Sequence, residues 1–464
     1  MAGHRIKRVK EMKLLGIILD EGFTWIPHLR SQRTKALKIA MNLRKMQGSK
    51  WGLRPHILKI LYSAVAEKIM IYGAAIWANP MTCRKQKILQ SSQRPFVLAI
   101  TKAYRTTSTA AAAVLAGLIP LPIKAQQEAA ITMFSQLHRK ARFGEFSYDP
   151  ADFEFKSSKL KTHPSDYGKG VVTHFAPELP PSIEGPGFMI YTDGSKMDNA
   201  VGSAYTVFHN GTEVQTWKCH MSPHNSVFQA EALALLKAIE WAQTTTAEDF
   251  TIYTDSLSVL YAINDPRHTS PLVSQIQETL RNTSPVQKIE ISWVKAHVGA
   301  QGNERADTLA KEAAQDRDAV QIDPPLPKSL LKRQTWQSAL SQWQQEWNTS
   351  PQSRRTFEFI RKVDTERLIS APFLTRFITG HGPFPTYFAE RNISSTDLCV
   401  CGKIGSPDHY LTECQLTTQW HVKLPSNNVA AFKRFVLKQP RLMDKIKKIM
   451  DHLEVLGQEL CSPA

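Results

Sequence analysis

Two nearly identical hexapeptides constrain this 464-residue chain more than anything else in it: Phe188-Met189-Ile190-Tyr191-Thr192-Asp193 and Phe250-Thr251-Ile252-Tyr253-Thr254-Asp255. Each is an apolar, aromatic and β-branched run that ends in an acid followed by turn-forming residues, which predicts a strand with a carboxylate at its exit. Parallel neighbours in a sheet lie ~4.8 Å apart, so two carboxylates at equal height would nearly touch. Neither stays ionised there without a cation. In open α/β sheets ligands gather at the carboxyl ends of the strands, where both acids are expected.

Between the two runs, residues 226–241 form a strong helix pattern, with Phe228, Ala232, Leu235, Ile239 and Ala242 at helical spacing. Glu231 falls on the border of the face that must pack on the sheet, a costly place for an acid that meets nothing positive. Another strand-like run, residues 289–294, precedes a glycine-rich loop carrying His297, and then a helix with Asn303 as its expected N-cap and Asp307 in its first turns. Taken singly, each acid fits a turn, a cap or a solvated helix face. Taken together, the order strand-Asp, helix-Glu, strand-Asp, loop-His, helix-Asp aims four carboxylates at one point.

On Tyr191-Thr192-Asp193-Gly194-Ser195, Gln229-Ala230-Glu231, Tyr253-Thr254-Asp255-Ser256, His297-Val298-Gly299 and Gly302-Asn303-Glu304-Arg305-Ala306-Asp307, the segment 186–316 resembles the type-1 ribonuclease H family. The resemblance implies an α/β ribonuclease H-like domain, a mixed five-stranded sheet of order 3-2-1-4-5 flanked by helices, and a metal-dependent endonuclease that cuts the RNA strand of an RNA–DNA hybrid. The chemistry of the residues agrees. Two hard cations about 4 Å apart would be held by Asp193, Glu231, Asp255 and Asp307, with Asp193 bridging them. One ion would activate water and the other would stabilise the leaving 3′ oxygen. Magnesium (Mg2+) suits such oxygen ligands, with manganese (Mn2+) as its substitute. His297 is expected to shuttle a proton or loosen the product, and Ser195 and Gln229 to contact substrate where a 2′-hydroxyl is read. An integrase on the same topology would show three acids ending in Glu and no His-Gly loop. The alternative reading is a nucleic-acid-binding polyprotein remnant whose nuclease site has decayed.

Length predicts about three domains. Residues 1–150 hold 25 Lys and Arg against 7 Asp and Glu, a net of +18, whereas the whole chain carries +17. Residues 186–316 hold 9 against 15 and are acidic. The basic surface that a polyanion needs therefore lies N-terminal to the acid-rich segment. Within it, residues 12–25 read as a hairpin turning at Asp20 to Gly22. Residues 28–46 read as an amphipathic helix with Arg30, Arg33, Lys35, Lys38, Arg44 and Lys45, either a solvated face or one that tracks a phosphate backbone. The order Lys13-Leu14-Leu15-Gly16, Asp20, Trp25, His28 and basic helices is similar to the region after the palm of a non-LTR retrotransposon reverse transcriptase. The polymerase signature of an aromatic residue, any residue and Asp-Asp is absent, which implies no unaided polymerisation and an origin inside a longer polyprotein.

Residues 1–145 are thus expected to be a basic, mostly helical thumb-like region, 146–185 a Pro-rich linker, 186–316 the ribonuclease H domain and 317–464 a helical C-terminal region. In the last of these, Cys399, Cys401, His409 and Cys414 could give zinc (Zn2+) a closed tetrahedral structural site, with buried reduced cysteines as the other reading. Similar clusters follow the ribonuclease domain in Jockey-like retrotransposon proteins. Cys83, Cys219 and Cys461 have no such company. No hydrophobic leader or ~20-residue apolar span is present, so the expectation is an intracellular protein, cytoplasmic or nuclear, without disulfides or membrane helices. Arg5 to Lys10 reads as a solvated basic run or a nuclear address.

Overall fold

The computed structural model describes residues 8–46, 52–156, 163, 170–175, 183–184, 187–197, 199–316, 318–425 and 427–460. Most of the Pro-rich stretch 157–186, the residues Arg5 and Lys7, and Cys461 lie outside the described residues. The chain divides into two compact units: one joins residues 1–147 with 334–464, and the other is 148–333. The N- and C-terminal regions therefore share a unit, although the sequence reads them as separate.

In that first unit, β1 (Glu11–Leu14) and β2 (Ile17–Asp20) form a hairpin. Its turn is Leu15-Gly16, not Asp20 to Gly22. Both turn residues have positive φ, the geometry that matches strand twist in a two-residue loop. Asp20 instead accepts from the backbone N–H groups of Thr24 and Trp25, leading into the basic helix Ile26–Lys45. Leu29 and Ala36 of that helix pack with Leu58, Tyr62, Trp77, Leu89 and Phe96. C-terminal residues are tied to the same body: Thr375 Oγ1 donates to the Thr101 carbonyl at 3.0 Å, and Lys59 Nζ to the Thr365 carbonyl at 2.8 Å. A small sheet of β3 (Ala141–Phe143) and β4 (Phe146–Tyr148) closes the N-terminal part. Among the described residues no single helix is long and apolar enough to cross a membrane.

The second unit is built on a six-stranded mixed sheet: β5 (Val172–His174), β6 (Phe188–Met197), β7 (Ala200–His209), β8 (Thr212–Met221), β9 (Asp249–Thr254) and β10 (Lys288–Trp293), in the order β5-β10-β9-β6-β7-β8. The five strands from β6 onward have the expected 3-2-1-4-5 order. The sixth is a correction. Val172 to His174, read as linker because prolines flank them, add a parallel edge strand to β10 through Glu290 to Ser292. β7 and β8 meet at Asn210-Gly211, both at positive φ, as that dipeptide predicts.

Alternation along the strands separates two layers of side chains. Ile190, Val207, Ile252 and Ile291 pack against the helix Val227–Thr244 and against the helices Leu257–Asn264 and Pro271–Arg281. Met189, Tyr191, Tyr253 and Val294 pack on Ala306 of the helix Gln301–Gln315. The sheet thus lies between helices on both faces, as a buried, largely parallel sheet requires.

Candidate active site

The register of the two hexapeptides brings the first two acids together. β6 and β9 run parallel with Phe188 opposite Phe250 and Thr192 opposite Thr254, so Asp193 and Asp255 are each the next residue beyond the last pair. Asp193 does not end its strand. β6 continues to Met197 because its other edge stays paired with β7, as far as Met197 opposite Ala200. The acid therefore sits at the point where only the parallel partner has stopped.

Glu231 reaches the same point from the helix Val227–Thr244. One carboxylate oxygen from each of Asp193, Glu231 and Asp255 lies within 4.8 Å of the others. Glycine makes that approach feasible: a Cβ on Gly194 would stand 2.4 Å from the Glu231 nitrogen. Ser203 Oγ, buried on β7, donates to the Ala230 carbonyl at 2.7 Å and fixes the same helical turn.

Asp193 and Glu231 are each only 6% exposed, and Glu231 Oε2 is buried with no hydrogen-bond partner. Burial, then repulsion from Asp255 and Asp307, pushes the Asp193 carboxyl up to about 7. Burial and its acidic neighbours drive Glu231 far above the usual carboxylate range. Burial also raises Asp255, opposed by a hydrogen bond from Asn303 and by His297. These carboxylates repel one another, and one buried oxygen, Glu231 Oε2, has no donor.

Asp307 is half-buried on the helix Gln301–Gln315 and is not one of the three tightly grouped acids. Its Oδ2 accepts from Lys311 Nζ at 2.7 Å, one helical turn on. Asn303 is not the N-cap. The helix starts at Gln301, and Gly302 sits so close to the Tyr191 ring that a Cβ would lie 2.2 Å from it. That start turns Asn303 inward, 3% exposed, where its Nδ2 donates to Asp255 Oδ2 at 3.4 Å. His297 is exposed on the preceding loop with φ +56°.

Ser195 is half-buried on β6 opposite Gly202. Gln229 differs from its expectation as a substrate contact. It is 1% exposed and forms a capping box with Ser226, and its Nε2 donates to the Pro325 carbonyl at 2.8 Å and to Glu154 Oε2 at 3.3 Å. The sequence predicts Asn303 only as a cap, and it gives Lys311 and Ser203 no expected role. Of the three, only Lys311 leaves a local signal, the four-residue spacing from Asp307.

In the first unit, Cys399, Cys401, His409 and Cys414 also converge, with one donor atom from each within 4.8 Å of the others. Cys399 and Cys414 Sγ are 3.6 Å apart, and Cys401 Sγ is 3.2 Å from His409 Nε2. The strand-like bridge between Leu398 and Ile404 and Gly402 at φ +83° fold the Cys-x-Cys loop. Burial lifts the Cys414 thiol to about 12. In Cys399, burial is outweighed by hydrogen bonds from Cys401, Tyr410 and Cys414, which leave it below the usual thiol range. Cys83 is an exposed free thiol and Cys219 a buried one.

An acid-lined mixed sheet of this strand order is the ribonuclease H architecture, and the family model RNase H matches residues 186–315. That segment is a ribonuclease H domain. Part of the chain is also similar to curated retrotransposon proteins. It is 31% identical over 124 residues to the retrovirus-related Pol polyprotein of the type-1 retrotransposable element R1 4 of Nasonia vitripennis, covering 27% of this chain and 31% of that protein. It is 31% identical over 133 residues to the R1 Pol polyprotein of Bradysia coprophila, covering 28% of this chain and 13% of that protein. The match thus spans about a third or less of these two relatives. Among solved structures, the RNase H1 of the archaeon Halobacterium salinarum aligns at 24% identity and a TM-score of 0.23, over 28% of this chain and 98% of that one.

Proposed function

We propose that this chain is part of an R1-like retrotransposon polyprotein and that its ribonuclease H domain cuts the RNA strand of RNA–DNA hybrids in a metal-dependent reaction. The observation that carries the reading is the group of Asp193, Glu231 and Asp255, two of them buried, with Glu231 Oε2 lacking any donor. Hard oxygen donors crowded in this way fit Mg2+ or Mn2+ and do not fit a structural zinc. Asp193, Glu231 and Asp255 would hold the ions, and Asp307 would join them by releasing Lys311. Bound in pairs, such ions supply an activated water and charge stabilisation at the leaving 3′ oxygen. His297, exposed beside Asp255, can take up or return a proton at the open side. Ser195, on β6 two residues beyond Asp193, would meet the strand that carries 2′-hydroxyl groups.

The rival reading, a remnant that binds nucleic acid with a decayed site, requires a lost acid. All four acids and the histidine are present. Phosphate binding is assigned to the basic helix Ile26–Lys45, which holds six Lys and Arg and no acid and exposes Arg30, Lys35, Lys38 and Lys45. Cys399, Cys401, His409 and Cys414 are assigned to one structural zinc.

The deciding assay uses purified full chain on a labelled RNA–DNA hybrid, duplex DNA and free RNA. Cutting of the hybrid alone, with magnesium or manganese and not with calcium, is expected, because calcium's looser coordination does not hold water and leaving group in line. Comparable cutting of duplex DNA or free RNA would refute the substrate assignment.

A further inference from the structure

Segments on either side of the family match are built into the helix that carries Glu231. Asp152 and Glu154 on one side pair with Leu326 on the other: the Leu326 N–H donates to the Asp152 carbonyl at 2.8 Å, and the Glu154 N–H to the Leu326 carbonyl at 2.9 Å. This two-stranded strap closes over the N-terminus of the helix Val227–Thr244. There every polar atom of the Gln229 side chain is bonded, and Nε2 meets the strap. Oε1 accepts from the Ser226 N–H and from Asn225 Nδ2, both at 3.1 Å, and Nε2 donates to Pro325 O and to Glu154 Oε2. Asn225, wholly buried, adds a bond from Nδ2 to the Pro324 carbonyl at 3.1 Å.

A capping box alone uses the Gln or Glu side chain only toward its own N-cap. Here the second end of the amide is spent on chain outside the domain's family boundaries. Glu231 lies two residues on; its carboxylate meets the Gly194 backbone but has one oxygen without any partner, so the helix turn it belongs to sets most of its position. We propose that Gln229 is a positioning residue for Glu231, and that the strap of residues 152–154 and 324–326 is a working part of the nuclease unit. The inference rests on the nuclease reading for its consequence in catalysis, but its geometry concerns metal binding. Outer groups that orient ligands typically affect metal affinity by about 10- to 100-fold.

The test uses the zinc-replete full chain, with Mn2+ binding read by electron paramagnetic resonance and hybrid cutting read as a function of Mg2+. Gln229→Ala is expected to raise the Mn2+ dissociation constant and the half-saturating Mg2+ concentration together, by about 10-fold, with KM for the hybrid unchanged. Glu154→Gln keeps an acceptor for Gln229 Nε2 and should leave both at wild type. Glu154→Ala removes that acceptor and should raise both, less than Gln229→Ala does. Wild-type Mn2+ affinity in Gln229→Ala overturns the proposal, and a raised KM with unchanged metal affinity returns Gln229 to substrate contact. If Gln229→Ala does not fold, the half-buried Glu154→Ala decides, and wild-type Mn2+ affinity in it overturns the proposal. A wild-type chain that binds Mn2+ without cutting hybrid would defeat the nuclease reading while the Mn2+ comparison still decides this one.

Discussion

The two convergent clusters of this protein are opposites in construction. Cys399, Cys401, His409 and Cys414 come from one short stretch, and their local turns are enough to gather them. Asp193, Glu231 and Asp255 come from two strands and a helix, and only the register of β6 on β9 and the contact at Gly194 bring them together. The thiol cluster is soft, local and closed on four donor atoms. The carboxylate cluster is hard, non-local and short of donors, and the repulsion among its acids is held in place by the rest of the domain. A local cluster can stabilise its own neighbourhood when a metal binds; a non-local one draws on the fold to stay crowded and poised.

That contrast breaks first at Asp193. Asp193→Asn should lower hybrid cutting by on the order of 10³-fold, about 4 kcal/mol of transition-state stabilisation, while the domain folds normally because a repelling charge has gone. Cutting within tenfold of wild type would remove Asp193 from the site.

The thiol cluster should respond in the reverse way, through structure and not through chemistry. About one zinc per full chain is expected by metal analysis, and Cys401→Ser should release it and lower the melting temperature of its unit, with hybrid cutting by the acids retained. Protein purified without chelators that holds no zinc would leave these residues as buried, reduced thiols.

The basic helix offers a graded test. Deleting it would dismantle a unit whose core includes Leu29 and Ala36, so charge substitution is the sharper probe. Arg30→Gln, Lys38→Gln and Lys45→Gln together should flatten the dependence of log affinity on log salt by about 2 to 3. An unchanged slope would move the phosphate contact elsewhere.

The smallest expected effect is on stability against pH, measured in chelator. Asp193 is raised to about 7 in the fold from an ordinary 3.8, so the native state holds its proton more tightly than the unfolded chain. Its contribution is fully present below about pH 4 and is lost as pH rises through about 7. Melting temperature should therefore fall by a few degrees between pH 5 and pH 8, and either Mg2+ or Asp193→Asn should flatten the fall. A melting temperature that rises over that interval in chelator would contradict the crowding of these acids.

Particular residues show where sequence reading stops. The repeated hexapeptide predicts two neighbouring strands because aromatic and β-branched runs leave few alternatives, and Asn210-Gly211 predicts its hairpin because both residues tolerate positive φ. Gln229 was legible as lying near Glu231 but not in its role, since Pro325 and Glu154, which hold its amide, are distant in sequence. The sequence predicts Asn303 as a cap because Asn favours that position. The ring of Tyr191 against Gly302 accompanies an earlier helix start and turns Asn303 toward Asp255.

By itself, then, the sequence determined the strand and helix types, the five-strand order through its family resemblance, the chemical nature of both clusters and the basic character of the N-terminal helix. These follow from periodicity, side-chain chemistry and local turn preference, which act over a few residues. Only the tertiary structure decided the sixth strand at Val172 to His174, the union of the N- and C-terminal regions in one unit, and the strap that holds the Glu231 helix. Those depend on backbone groups finding partners far along the chain, and a peptide carbonyl such as that of Pro325 carries no mark in the sequence of the side chain it will meet.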